Sequence, residues 1–271
     1  MIRGIEEVSG GSISRAARVE TAAGRSFLKV QRSAAPDFFE VEAAGLMLLA
    51  AHGKSLRIPR VAAVGSAGDE AYILMEWLER TPSAWHDERL GEAVADLHRA
   101  TGSDWGFSRD GYIGSLPQTN EISASWAEFW LRRRLEPQLR LLQHGVGTAA
   151  EWAALEELLP ELLSVAEQEG PSLLHGDLWS GNIMPTTDGP ALVDPACYYG
   201  HREVDLAMAD LFGGFGRSFF ESYAERWPLL PGYEARKGAY QLYYLLVHVN
   251  LFGAPYVSRT HQTLRRVLAT A

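Results

Sequence analysis

Cysteine is almost missing from this sequence: of 271 residues only Cys197 carries a thiol, so no internal disulfide is possible. That excludes the disulfide-stapled secreted class and agrees with a reducing cytoplasm. Long apolar runs are missing too, and none approaches the roughly 20 residues of a membrane-spanning helix. The charged start, Met1 to Glu7, lacks the apolar stretch of a secretory signal. Nor is there an excess of positive charge, since 25 Lys and Arg face 34 Asp and Glu, a net −9. A general attraction to nucleic acid or an anionic membrane is therefore not expected. No repeat or low-complexity linker interrupts the chain, and no exposed heptad seam stands out, so a monomer is expected.

What is present is ordinary globular composition, 46% hydrophobic and 22% charged, with a pattern that changes along the chain. Residues 15–21 and 26–30 read as strands around the Ala23-Gly24 turn. Phe39, Ala43, Leu46, Met47 and Ala50 recur at helical spacing within 38–51. Apolar runs at 61–64 and 72–77 flank the turn Ser66-Ala67-Gly68-Asp69. The order is strand, strand, strand, helix, strand, strand. From residue 86 helical spacing takes over, first through Leu90, Ala93, Val94 and Leu97, then over 124–143 and 148–168. Strand character returns at 172–174 and 191–193, followed by helices over 202–226, 233–252 and 260–269. This predicts an α+β chain of two lobes, a small β-rich one over 1–78 and a mostly helical one over 79–271, with the ligand cleft between them.

The stretch His175-Gly176-Asp177-Leu178-Trp179-Ser180-Gly181-Asn182, followed by Asp194-Pro195-Ala196, is the most informative. Phosphoryl transfer needs a base to orient the attacking hydroxyl and oxygen ligands to hold magnesium against the phosphates. Asp177 supplies the base in this reading, and Asn182 and Asp194 the metal ligands. A lone Asp with a nearby Asn is more often a polar turn. The second aspartate, in a chain with a strand-rich first lobe, favours phosphoryl transfer.

These motifs resemble those of the fructosamine kinase (ketosamine 3-kinase) family, and the resemblance covers nearly the whole chain. It extends from HGDLWSGN to DPACYYGHREVDLAM (194–208), WGFSRDGYIGSLPQTN (105–120), SWAEFWLRRRLEPQL (125–139) and YQLYYLLVHVNLFG (240–253). That family is related to the aminoglycoside phosphotransferases and choline kinases and shares a protein kinase-like fold. The resemblance implies an antiparallel β-sheet with one helix in the small lobe. It also implies transfer of the ATP γ-phosphate, with Mg2+, to a sugar hydroxyl of a ketosamine, typically at carbon 3, on a small molecule or a glycated protein.

Further roles follow from the resemblance. Gly10, Gly11 and Ser12 form a phosphate-covering loop that is not a Walker A motif; family members often carry cysteine where Ser12 stands. Lys29, a charge in an apolar strand, contacts the phosphates and pairs with Glu42 rather than Glu40. Backbone groups of Glu76 and Leu78, around Trp77, bind the adenine edge. Trp179 stacks on the acceptor sugar, while His175 and Asp205 support the catalytic loop. Tyr198, Tyr199 and His201 are alternatives for lining the acceptor site. Arg132-Arg133-Arg134 reads as a solvated or paired run, Cys197 as a small packing residue, and His86, His98 and His144 show no metal-like spacing. Two other functions compete: an aminoglycoside or choline phosphotransferase, and a nucleotide-binding pseudokinase. The second usually lacks one of the polar site residues, all of which are present here.

Overall fold

The computed structural model describes residues 2–8, 14–82 and 86–270. Five antiparallel strands, β1 (Ile2–Val8), β2 (Arg15–Thr21), β3 (Gly24–Arg32), β4 (Val61–Ala67) and β5 (Glu70–Glu76), form a sheet of order β1-β2-β3-β5-β4. Lys29 lies on the central strand, facing Ala16 on one neighbour and Ile73 on the other. It is the one residue of β3 to be buried. Helix α1 (Phe38–His52) buries Phe39, Ala43, Leu46 and Leu49. Met47 and Ala50, expected on this apolar face, are instead exposed, because the stripe turns toward Leu49.

Among the described residues the remainder is mostly helical, with three additional short strand pairs and isolated bridges that tie loops together. Helix α2 (Asp87–His98) packs on the second half of the chain. The hairpin over 183–192 follows the expected strand run at 191–193 only in part. Strands β6 (Gly111–Ile113) and β7 (Leu116–Gln118) form a pair that periodicity did not indicate. Their two-residue turn needs Gly114, whose φ of 60° lies where side chains are strained.

The stretch 124–143 is not one regular helix. It divides into α3 (Trp126–Phe129), a widened π turn (Trp130–Leu135) and α4 (Glu136–Leu141). Pro137 lacks an amide and crowds the preceding turn, which accounts for the widening. Residues 148–168 give α5 (Ala149–Leu162), started by a Thr148–Glu151 capping box, and the short α6 (Ala166–Glu169). Strand β8 (Ser172–Leu174) pairs with β11 (Tyr198–Gly200), and β9 (Ile183–Thr186) with β10 (Gly189–Leu192).

The single helix expected over 202–226 is also two, α7 (Glu203–Phe212) and α8 (Arg217–Arg226). Gly213 and Gly214 break it, with φ of 74° and 93°. A Cβ on Gly214 would stand 2.4 Å from the Ser180 side chain, so glycine permits close approach to the loop after Asp177. The chain ends in α9 (Tyr233–Phe252) and α10 (Val257–Leu268).

Two apolar clusters hold these layers. One gathers Trp126, Trp130, Tyr240 and Tyr244 inside the helical part. The other runs from Phe39, Leu46 and Ile73 across to Leu90, Leu178 and Leu206. The sheet, its helix and the segment around Leu178 therefore share one buried cluster.

Candidate active site

A cavity of about 470 Å³ opens where β3, α1 and the loops after β8 and β10 meet. Lys29, Glu42, Asp177, Asn182, Asp194 and Trp179 all line it. Lys29 Nζ donates to Glu42 Oε1 and to Asp194 Oδ1, each at 2.7 Å. Burial alone would lower the lysine pKa, but the attraction of Glu42 and Asp194 outweighs it and raises the value. Burial raises the Glu42 carboxyl, with Lys29 pulling the other way. Glu40 is exposed, 3.9 Å from Arg109, outside this pair.

Asp177 follows β8 in a loop gathered by backbone contacts. The Asn182 Nδ2 amide donates to the Asp177 carbonyl and to its Oδ2, both at 2.9 Å. That leaves Asn182 Oδ1 as the acceptor end of the amide. The Asp177 carboxyl is pushed up to about 7, chiefly by burial. The Asn182 hydrogen bond opposes this, while the Asp194 and Asp205 charges add to it. Asp194 itself has φ 56°, the left-handed region that Asp and Asn enter more readily than other side chains.

The loop is held from beneath. Asp205, fully buried on α7, accepts the His175 amide at 2.7 Å and the Gly176 amide at 2.9 Å. His98 Nε2 lies 3.1 Å from the same carboxylate and its Nδ1 2.8 Å from the Tyr223 hydroxyl. His175 Nε2 is 3.0 Å from the Val193 carbonyl, and the Asp177 amide donates to His175 Nδ1 at 3.3 Å. Those two contacts require the neutral ring with its proton on Nε2, and burial lowers the ring's pKa in the same sense. The Tyr244 hydroxyl on α9 donates to the Gly176 carbonyl at 2.8 Å.

Other expected residues lie elsewhere. Gly10, Gly11 and Ser12 fall outside the described residues, although Ser14 just beyond them lines the cavity. Glu76, Trp77 and Leu78 at the end of β5 are not in its lining. The Glu76 carboxylate takes Arg57 and Arg60, and the Trp77 ring packs beside Phe27 and Arg18.

None of the three alternatives for the acceptor wall reaches the cavity. Tyr198 is buried beneath Arg134, His201 is held by Glu169 and Tyr240, and Tyr199 packs beside Phe107. Arg134 is likewise not the solvated or ion-paired residue expected. It is fully buried, donating to the Thr119 carbonyl at 2.6 Å and Asn120 Oδ1 at 2.7 Å. Cys197 is buried against Gly45, and burial pushes its thiol pKa up.

Sequence reasoning overlooked Phe38, Val41 and Tyr112, which also line the cavity, and the braces His98 and Tyr244. The signal for Tyr112 was available, since it lies within the distinctive 105–120 segment.

Comparison with known proteins agrees with this architecture. The family model described as "Fructosamine kinase" matches residues 1–270. The protein-ribulosamine 3-kinase, chloroplastic, of Oryza sativa subsp. indica is 41% identical over 263 residues, covering 95% of this chain and 76% of that protein. A Thermobifida fusca YX-ER1 crystal structure, provisionally named as a fructosamine-3-kinase, is 35% identical with a TM-score of 0.85. The match covers 99% of this chain and 94% of that one. The aminoglycoside phosphotransferase APH(4)-Ia shares 16% identity and a TM-score of 0.63 over 100% of this chain and 95% of that one, so it shares the fold.

Proposed function

The chain belongs to the fructosamine kinase family, and from that membership we propose that it transfers the γ-phosphate of ATP to a ketosamine. The acceptor atom is a sugar hydroxyl, at carbon 3, of a ribulosamine or fructosamine carried by a small molecule or a glycated protein. The observation that carries this reading is the convergence of Asp177, Asn182, Asp194 and the Lys29–Glu42 pair on one cavity.

In this mechanism Asp177 accepts a hydrogen bond from the acceptor hydroxyl, orients it toward the γ-phosphorus, and takes its proton as the new P–O bond forms and the bond from the γ-phosphorus to the departing ADP breaks. Lys29 draws the α- and β-phosphates to the floor of the cavity, and Glu42 fixes the direction of its ammonium. The backbone of Glu76 and Leu78, flanking Trp77, takes the adenine edge. Trp179, 37% exposed, offers its indole face to the sugar. His175 and Asp205 keep the loop in register.

Asn182 Oδ1 and the Asp194 carboxylate would hold Mg2+. Two hard oxygen donors suit an ion that keeps phosphate and water oxygens as its other ligands, and no cluster of three His, Cys, Asp or Glu stands among the described residues. When bound, magnesium supplies charge neutralisation on the phosphates. The enzyme works in this reading as a cytoplasmic monomer; among the described residues no helix is long and apolar enough to cross a membrane.

The test is ADP release with ATP and Mg2+ against ribulosamine, fructosamine, choline and an aminoglycoside. Turnover on the ketosamines supports the proposal and ranks the sugars. Turnover confined to choline or the aminoglycoside overturns the substrate while keeping the reaction class.

A further inference from the structure

Tyr112 is placed by a hairpin, and its ring is left with no evident task in the phosphate chemistry. Strand β6 presents it to the same cavity that holds Asp177 and Trp179. Its hydroxyl donates to Asp37 Oδ1 at 2.6 Å, so the polar end of the side chain is already occupied. Its ring lies 5.0 Å from that of Phe38, at 50°. Burial and then the Asp37 hydrogen bond push the phenol up to about 12, so it remains a neutral donor to Asp37.

The hairpin is fixed at its other end. Gln118, nearly fully buried on β7, donates to the Ala196 carbonyl at 3.2 Å and accepts the Tyr243 hydroxyl at 2.8 Å. Ala196 lies two residues after Asp194, so the strand pair carrying Tyr112 is tied to the loop that carries the proposed metal ligand.

A hydroxylated amine that must present one hydroxyl to Asp177 needs flat apolar surface for its ring C–H groups and electron-rich faces for its ammonium. The cavity offers such surface on two different elements, the indole of Trp179 after β8 and the phenol ring of Tyr112 on β6. Resting on the proposed ketosamine reaction, we infer that Tyr112 is an acceptor-binding residue that contacts the sugar amine through its ring while Asp37 fixes the ring's orientation.

The arrangement separates the two parts of this side chain experimentally. Tyr112→Ala removes the ring, and the acceptor KM should rise by about tenfold, the value of one aromatic contact. The KM for ATP should stay within about twofold, since Lys29 and Asp194 are untouched. Tyr112→Phe keeps the ring and loses only the Asp37 bond, so its acceptor KM should change by less than about threefold. Both variants are followed with fructosylglycine and ribulosylglycine as acceptors, and by the thermal shift each ligand gives in the presence of a non-hydrolysable ATP analogue. The thermal shift reports binding whether or not turnover occurs.

An unchanged acceptor KM and ligand shift in Tyr112→Ala would overturn the inference. So would a parallel rise of both KM values, which would place the effect in helix α1 rather than the acceptor. If the unsubstituted protein binds and turns over only a different hydroxylated amine, the ketosamine reading falls, and the same KM split on that amine decides Tyr112. If it binds no acceptor of the panel, both fall.

Discussion

Burying a carboxyl beside two others disfavours its charged form, and Asp177 occupies that position beside Asp194 and Asp205. A base must be ionised to act, so with a pKa near 7 the rate should fall about tenfold per pH unit below that value. A profile of kcat/KM against pH checks this. Stability runs the opposite way. The folded protein holds this proton more tightly than the unfolded chain, whose carboxyl titrates near the ordinary 3.8. The contribution to stability is therefore fully present below 3.8 and lost as pH rises through about 7. Asp177→Asn should lower kcat by roughly a thousandfold while ATP binding is kept. It should also raise Tm at pH 8 by about 2–4 °C, with no gain at pH 4. Calorimetry at the two pH values separates the effects, and a variant that loses ATP binding would contradict the assignment.

At the scale of elements, the loop after β8 depends on close backbone contact. A Cβ on Gly176, whose φ is 81°, would lie 2.1 Å from the Ala196 carbonyl oxygen. Gly176→Ala should therefore displace one of the two loops that bring Asp177 and Asp194 together. Activity should fall by at least tenfold and Tm by several degrees, by roughly the 1–3 kcal/mol of a strained backbone position. Activity assays and thermal melts on one preparation test it.

This part of the molecule was legible in the sequence because its chemistry is local. Asp177, Asn182 and Asp194 lie within 18 residues, with glycines marking the turns between them. The kinase-like fold was legible through the strand order and the combined motifs. What resisted reading depends on packing between distant segments. Tyr112 enters the cavity only because the β6–β7 hairpin docks on α1 and Ala196, and no period in 105–120 announces that pairing. Arg134 looked like one of three solvated or paired arginines, yet the widened turn at Trp130–Leu135 rolls it inward over the ring of Tyr198. The break at Gly213-Gly214 was masked by helical spacing that continues on both sides.

Across the whole molecule, buried charge is organised in pairs that join helices far apart in sequence. Glu203 on α7 and Arg236 on α9 form two hydrogen bonds of 2.6 and 2.7 Å, both side chains almost free of solvent. Removing one charge would strand the other, so Glu203→Gln should cost about 3 kcal/mol. Denaturant unfolding would read this as a lower midpoint at an unchanged m-value. Because α7 also carries Asp205, the same variant should lose activity at temperatures where the wild type is still folded. The contacts around the cavity have a similar reach. Lys29 meets Asp194 across 165 positions of sequence, and the loop beside it hangs from the hydroxyl of Tyr244. A ribosome adding about 5–20 residues per second makes Tyr244 some 10–40 s after Lys29. For about the first 8–33 s of it the lysine lacks its second carboxylate. The site therefore cannot be complete until Tyr244 has been made, however early the sheet is in place.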